Sequence, residues 1–305
     1  MAPSNDGSVT FKVMDLNVRS LGVRDQGHQM EAKRYSKLDT LLTYIAKDDR
    51  SPFIAFLQET WLDPIRNLQY SPTPLVPEGY ATLTSHHKDP QGQIYGRGLM
   101  IIVHPGLLGL LSPREGPSAH LTLIDHITTP TYEFLAASLG NIYVASVYIK
   151  ITKRNPDYEH LVGVLFSLRP DRCQHVILGG DFNYECLWEE CHGLFEEEGI
   201  ASVVTGKRIP CTHSKGGVLD HVLVSKEVVI DWESVAAKQM PAYLTDHRLI
   251  TLTVTLKGSP KGPPNSNPNP NGDPNRDTDP NPHSSLLARP APPPDRFPVS
   301  KLKKH

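Results

Sequence analysis

Val9, Phe11 and Val13 alternate with polar neighbours, the period-two pattern of a strand with one buried face. Tyr35, Leu38, Leu42 and Ile45 recur at helical spacing and predict a helix over roughly residues 30–47. Short apolar runs bounded by turn residues follow: Phe53–Leu57, Leu99–Val103, Glu133–Leu139, Ile142–Ile149, His175–Leu178, Val218–Val224 and Leu249–Leu256. Helical periodicity returns over about 157–169, through Leu161, Val164, Leu165 and Leu168, and over about 186–199. Many strands with few interleaved helices predict β-sheets covered by helices in a single α/β domain.

The pattern stops after Leu256. Residues 258–305 hold 13 prolines in 48 positions, with Asn-Pro pairs in Asn267–Asn271 and at Asn281-Pro282. Such a segment lacks the amide donors and apolar mass needed to offset its ordering entropy. The expected division is a folded body, 1–257, and a disordered Pro/Asn-rich tail, 258–305, that can offer a partner its proline-rich surface. The tail carries seven Lys/Arg against four Asp, or +3, so the total of −2 leaves the body at −5. A polyanion would therefore have to meet a local basic patch and a metal ion. Lys301-Leu302-Lys303-Lys304 reads first as a solvated charge run.

No run approaches the roughly 18 uncharged apolar residues of a membrane span, because His104, Pro105 and two glycines break Leu99–Leu111. Met1–Gly7 has neither a basic start nor an apolar core, so no secretory signal is expected. Cys173, Cys186, Cys191 and Cys211 show no zinc-ligand spacing and no disulfide framework. A nuclear or cytoplasmic, membrane-free protein is the expectation.

Candidate chemistry gathers at the ends of the predicted strands. Leu16-Asn17-Val18 closes the first, Gln58-Glu59-Thr60 follows Phe53–Leu57, and Tyr148 ends its run. Gly179-Gly180-Asp181-Phe182-Asn183 follows Val176–Leu178, and Leu219-Asp220-His221 and Asp246-His247 lie further on. Each cluster alone has a bland reading as a solvated loop or an Asx-turn. Together they place carboxylates, amides, a phenol and an imidazole where strands of a layered core can converge on one cleft. The hard oxygens of Glu59, Asp181, Asn183 and Asp246 suit Mg²⁺ or Mn²⁺ rather than zinc. An imidazole beside them supplies proton transfer or charge stabilisation for attack on a phosphate ester.

This ordered set resembles the endonuclease/exonuclease/phosphatase superfamily, over about residues 9–256. Gly179–Asn183 followed by Trp188, and Thr212 ahead of the Asp-His motif, resemble most the endonuclease domain of non-LTR retrotransposons. The resemblance implies a DNase I-like four-layered α/β/β/α sandwich of two mainly antiparallel sheets, acting as a monomer. It implies that Glu59 holds the divalent ion, with Asn17 and Asp246 beside it. Tyr148 would bond the scissile phosphate, Asp181 would orient the attacking water and Asn183 would fix Asp181. Asp220 would orient His247, which would act as general base or as a cation. Thr212, Lys150 and Arg154 would touch substrate.

The sequence departs from that pattern in places. Ile149–Arg154 replaces the usual loop after Tyr148, and its Lys150, Lys153 and Arg154 form either the missing basic patch or a solvated loop. Gly216-Gly217 replaces the usual serine ahead of the Asp-His strand, and Gly22–Gln29 looks inserted. His221 should face away from the site by strand alternation. The leading expectation is a Mg²⁺-dependent endonuclease that nicks double-stranded DNA and leaves a 3′-hydroxyl. The alternatives are the same fold acting on inositol phosphates, lipid head groups or RNA, and a catalytically inactive adaptor.

Overall fold

The computed structural model describes residues 7–19, 21, 40–44, 51–62, 76, 78–85, 96–112, 119–152, 156–183, 188–204 and 208–257. The chain divides into Met1–Pro260 and Lys261–His305. The expected tail lies outside the described residues, as do Gly22–Gln29, Lys153 and Arg154.

Among the described residues, twelve strands form two six-stranded sheets. The first sheet contains β1 (Val9–Asn17), β2 (Phe53–Gln58), β3 (Ala81–Thr84), β4 (Leu99–Val103), β11 (Val228–Gln239) and β12 (Arg248–Leu256), in the order β11-β12-β1-β2-β4-β3. The second contains β5 (Leu121–Thr128), β6 (Tyr132–Leu139), β7 (Ile142–Ile149), β8 (His175–Asp181), β9 (Ile200–Ser202) and β10 (Asp220–Ser225), in the order β5-β6-β7-β8-β10-β9. Each sheet has one parallel pairing, β1 with β2 and β7 with β8, and the rest are antiparallel.

Period-two alternation sorts the strand residues into layers. Phe11, Val13, Ile54, Phe56, Ile101, Val144, Ile177 and Val222 pack between the sheets. Their neighbours Met14, Leu16, Ala55 and Leu57 face outward, where Leu41 and Leu42 of the helical residues 40–44 cover them. The remainder of the helix expected over 30–47 lies outside the described residues. On the other side, Tyr143, Ala145, Val176 and Leu178 face α2 (Tyr158–Ser167) and α3 (Trp188–Glu197). Leu161 and Leu165 of α2 and Phe195 of α3 fill that layer. This is the four-layered sandwich. Asp157 caps α2 by accepting the His160 N–H, as a short acidic side chain does at a helix start.

The greasy stretch Leu99–Leu111 is strand β4 followed by α1 (Pro105–Leu111), separated by His104, whose ring accepts from Gly106 N. No helix among the described residues is long and apolar enough to cross a membrane. β3, β5, β9 and β11 were not expected. β11 is an edge strand with a bulge between Asp231 and Ala236, and its exposed positions erase the alternation a sequence can show.

Candidate active site

The parallel pairs align their carboxyl ends. Asn17 is in register with Gln58, Tyr148 with Asp181, and Asp181 with Asp220. Along the inner faces the apolar series of each strand therefore gives way to polar residues at one edge: Asp15 and Asn17, Gln58, Ser146 and Tyr148, Asp181, and Asp220. Gly179 permits this convergence, because a Cβ there would lie 2.5 Å from Phe56 and 2.7 Å from Asp15 Oδ1. The two sheets approach that closely only through a residue without a side chain.

At the centre, the Asn17 amide bridges two carboxylates. Its Nδ2 donates to Glu59 Oε1 at 3.0 Å and to Asp181 Oδ2 at 2.7 Å, while its Oδ1 accepts from Arg19 N at 2.9 Å. Glu59 also receives the Trp61 indole N–H at 3.3 Å and bonds the Tyr148 hydroxyl. Asp181 accepts the Asn183 amide N–H at 2.9 Å, and the Asn183 side chain donates to Ile149 O at 2.8 Å. Among the described residues, the non-glycine positions with left-handed backbone are Arg19, Glu59, Trp61 and Asn183. All four sit at this edge. Such conformations cost about 1–3 kcal/mol each and persist where the surroundings impose them.

Beside this group, His247 Nδ1 bonds both Asp220 oxygens at 2.9 Å, and Nε2 lies 3.9 Å from Asp181 Oδ2. Both carboxylates are fully buried. Burial opposes the imidazolium, but the charge and hydrogen bond of Asp220, with Asp181 and Asp246 behind them, outweigh it and push the His247 pKa up to about 9. Burial, then the Asp220 charge, raise Asp181, against the hydrogen bonds from Asn17 and Asn183. Burial and the charges of Glu59 and Asp181 keep the Tyr148 phenol protonated.

Asp15 lies deeper. Gln58 Nε2 donates to its Oδ1 at 2.8 Å and to Ser146 Oγ at 3.2 Å. Burial and the neighbouring Asp220 hold its pKa well above the carboxylate range.

Thr212 takes a different place from the one the resemblance implied. It is fully buried, and its Oγ1 accepts the N–H groups of Leu219 at 2.9 Å and Asp220 at 3.0 Å. It leaves substrate no surface to touch and holds the start of β10. Gly216 and Gly217, at φ +93° and +86°, turn the chain so that Gly217 O accepts from Thr212 N. Left-handed backbone at both positions favours glycine there. Lys150 is half-buried, and its ammonium donates one hydrogen bond to Thr129 O at 2.6 Å. His221 faces the α2–α3 side, with its ring edge-on to Phe182 at 5.7 Å.

Three side chains that the sequence did not single out complete the site. Arg19 pairs with Asp246 Oδ2. His213 Nε2 lies 3.3 Å from the same oxygen, and its ring stands edge-on to His247 at 4.8 Å. Glu133, in register with Tyr148, is buried and ionised. Burial alone would raise its pKa, but bonds from His126, Arg97 N and Ser85 bring it below the usual value. Arg97, anchored this way, lies 4.5 Å over the Trp61 ring that bonds Glu59.

Strand-end carboxylates, a carboxylate-bound imidazole and a protonated phenol form the apparatus of a phosphoester hydrolase. The chain belongs to the Endonuclease/Exonuclease/phosphatase family, whose profile matches residues 16–247. Its members hydrolyse phosphoesters and generally depend on divalent metals. Among solved structures, an endonuclease/exonuclease/phosphatase from Bacteroides vulgatus is 12% identical, with 81% of this chain and 98% of that one covered at TM-score 0.52. A mannosyl-6-phosphatase from Bacteroides thetaiotaomicron is also 12% identical, with 80% and 99% covered at TM-score 0.50. The endonuclease domain of TRAS1, a telomere-specific non-LTR retrotransposon, is 14% identical, with 82% and 100% covered at TM-score 0.46. These likenesses concern the fold. No curated protein matches this chain.

A divalent cation fits the donor set. Glu59 and Asp181 share one amide donor, and the lone pairs left on their hydrogen-bonded oxygens are the hard ligands that Mg²⁺ or Mn²⁺ prefers.

Proposed function

We propose that this chain is a Mg²⁺- or Mn²⁺-dependent phosphodiesterase that nicks double-stranded DNA and leaves a 3′-hydroxyl. The observation that carries the hydrolytic part is the convergence of Glu59, Asp181 and the Asp220–His247 pair on one strand-end edge. The sequence Gly179–Asn183 with Trp188 opening α3 supports the retrotransposon-type substrate.

Glu59 and Asp181 would hold the ion, which supplies Lewis-acid neutralisation of a phosphate oxygen. Asp220 accepts the His247 Nδ1 proton and so leaves Nε2 as the working atom, facing Asp181. Asp181, steadied by Asn17 and Asn183, orients a water and takes its proton as the water attacks phosphorus. The bond from phosphorus to the 3′ oxygen breaks, and the leaving oxygen is protonated from solvent. His247 stabilises the charge that builds on the phosphate. Tyr148, kept protonated, donates a hydrogen bond to a phosphate oxygen. The edge is open at half-exposed Glu59 and Asn183, so a strand backbone can reach it.

The test is Mg²⁺-dependent nicking of supercoiled plasmid, run beside phosphate release from inositol and sugar phosphates. Nicking that EDTA abolishes, with 3′-hydroxyl ends that a polymerase extends, is the expected result. Phosphate release without nicking would overturn the DNA reading.

A further inference from the structure

The resemblance places Asp246 among the metal-holding residues, yet its surroundings differ from those of Glu59 and Asp181. Asp246 Oδ1 is buried with no hydrogen-bond partner among the described residues, whereas Oδ2 meets two donors, the Arg19 guanidinium and His213 Nε2. Lys215 N donates to His213 Nδ1 at 3.1 Å, so the neutral ring carries its proton on Nε2, aimed at Asp246. The backbone fixes this geometry as well: Ser214 N donates to Asp246 O, and His213 bridges to His247.

Arg19 is equally committed. Its left-handed backbone, φ +45°, is held by the bond from its N–H to Asn17 Oδ1, which turns the chain out of β1. Asn17 thus divides the cleft. Its Nδ2 serves Glu59 and Asp181, and its Oδ1 sets the turn that brings Arg19 to Asp246.

The direct donors divide the same way, with the His247 ring standing 3.9 Å from Asp181. The hydrogen-bond donors to Glu59 and Asp181 come from neutral amides, an indole and a phenol. Asp246 has a permanent cation. The Arg19 side chain is 63% exposed, and an ion pair so exposed adds little stability. A strained turn that presents a guanidinium at the mouth of a phosphoester site has a better use. A guanidinium offers a planar fork of donors to phosphate oxygens.

We propose that Arg19 is a phosphate-binding residue of this cleft, and that Asp246, itself held by His213, is its positioning residue rather than a ligand of the divalent ion. The ion then sits on the Glu59–Asp181 side alone. The proposal rests on reading the cleft as a metal-assisted phosphoester site, and not on DNA being the substrate.

Two binding measurements on the full chain test it. Mn²⁺ affinity, followed by the electron-spin-resonance signal of the free ion, should fall about tenfold or more in Glu59→Gln and stay within about twofold in Asp246→Asn. Inorganic phosphate affinity at saturating Mn²⁺, measured by calorimetry, should fall about tenfold in Arg19→Ala and less in Arg19→Lys. Asp246→Asn should also weaken phosphate, and the Arg19→Ala/Asp246→Asn double variant should be little worse than Arg19→Ala. Loss of Mn²⁺ affinity in Asp246→Asn equal to that of Glu59→Gln would return Asp246 to the metal and overturn the proposal. Unchanged phosphate affinity in Arg19→Ala would overturn it too. A wild-type chain that binds no Mn²⁺ would overturn both the proposal and the metal-assisted reading, whereas failure to nick DNA would overturn only the choice of substrate.

Discussion

Two aspartate–histidine pairs stand side by side at the strand ends, and depth separates them. Asp220 and His247 are buried, bonded at 2.9 Å through both carboxylate oxygens, and lie beside a second buried carboxylate. His213 and Asp246 keep some contact with solvent, sit 3.3 Å apart and share their carboxylate with an exposed arginine. A buried pair is shielded from solvent, so its charges act strongly on each other and on anything bound between them. The outer pair is screened and can do little more than aim its neighbour. The same two residue types thus make a chemical device in one place and a mount in the other.

Removing the inner pair tests this most severely. His247→Ala should lower turnover by about 10³-fold or more with substrate affinity less affected, and Asp220→Asn should cost much of the same loss. The double variant should be little worse than His247→Ala, because the two act as one unit. Additive losses in plasmid nicking, or a His247→Ala enzyme within a few-fold of wild type, would falsify the pairing as the source of activity.

Depth also sets how stability responds to pH in the ion-free protein. His247, raised to about 9, stabilises the fold fully below its unfolded value near 6.5, and that contribution is lost as pH rises through 9. Asp181, raised by burial and by Asp220, acts in the same direction, since the fold holds a proton there that the unfolded chain releases. His221 works the other way. Burial pushes it down to about 3, so its contribution is present above 6.5 and falls away as pH drops toward 3. Each group contributes a slope of up to about 1.4 kcal/mol per pH unit within its window. Chemical denaturation in EDTA should therefore show stability declining from pH 7 to about 9, and Asp181→Asn should flatten that limb below about 8. In acid, Asp181 and His221 oppose each other. An alkaline limb unchanged by that substitution would remove Asp181 from the account.

The inner pair was legible in the sequence, whereas of the outer pair only Asp246 was. Asn17, Tyr148 and Asp181 close apolar runs on the inner faces and Asp220 opens one that runs the other way, so period-two counting and strand order together bring them to one edge. Gly179 was readable within its motif, although the close approach of Phe56 that requires it was not. His213 depends on a turn closed by Gly216 and Gly217 and on a bridge to a residue far along the chain, which leaves no local pattern. Arg19 depends on a left-handed turn held by a side chain. Glu133 opened a predicted strand, but its partners His126, Ser85 and Arg97 come from other segments. β5 and β11 are edge strands with bulges, and their exposed positions break the alternation on which strand prediction relies.

Thr212 links the two pairs, since its hydroxyl holds β10 at Asp220 while the next residue is His213. Thr212→Val keeps the shape and strands two buried N–H groups, those of Leu219 and Asp220. The expected cost is about 1–3 kcal/mol of stability, with a several-fold loss of turnover as Asp220 shifts. Thr212→Ser should recover most of both. A Thr212→Val protein that melts like wild type would show that the hydroxyl supports nothing.

The smallest effect should come from the outer pair. If His213 only aims Asp246, and Asp246 only aims Arg19, then His213→Leu should raise KM about three- to tenfold and leave kcat within about twofold. His213→Gln retains an N–H that can reach the Asp246 carboxylate, so it should restore most of that loss. The edge-on contact with the His247 ring makes the competing prediction. If that contact fixes the working imidazole, His213→Leu should lower kcat with KM unchanged, and His213→Gln, which lacks the ring, should not rescue it. Steady-state nicking kinetics of the two variants separate the cases, because the carboxylate route needs only a donor and the ring route needs a ring. A fall in kcat without a rise in KM would mean that the outer histidine belongs to the inner device.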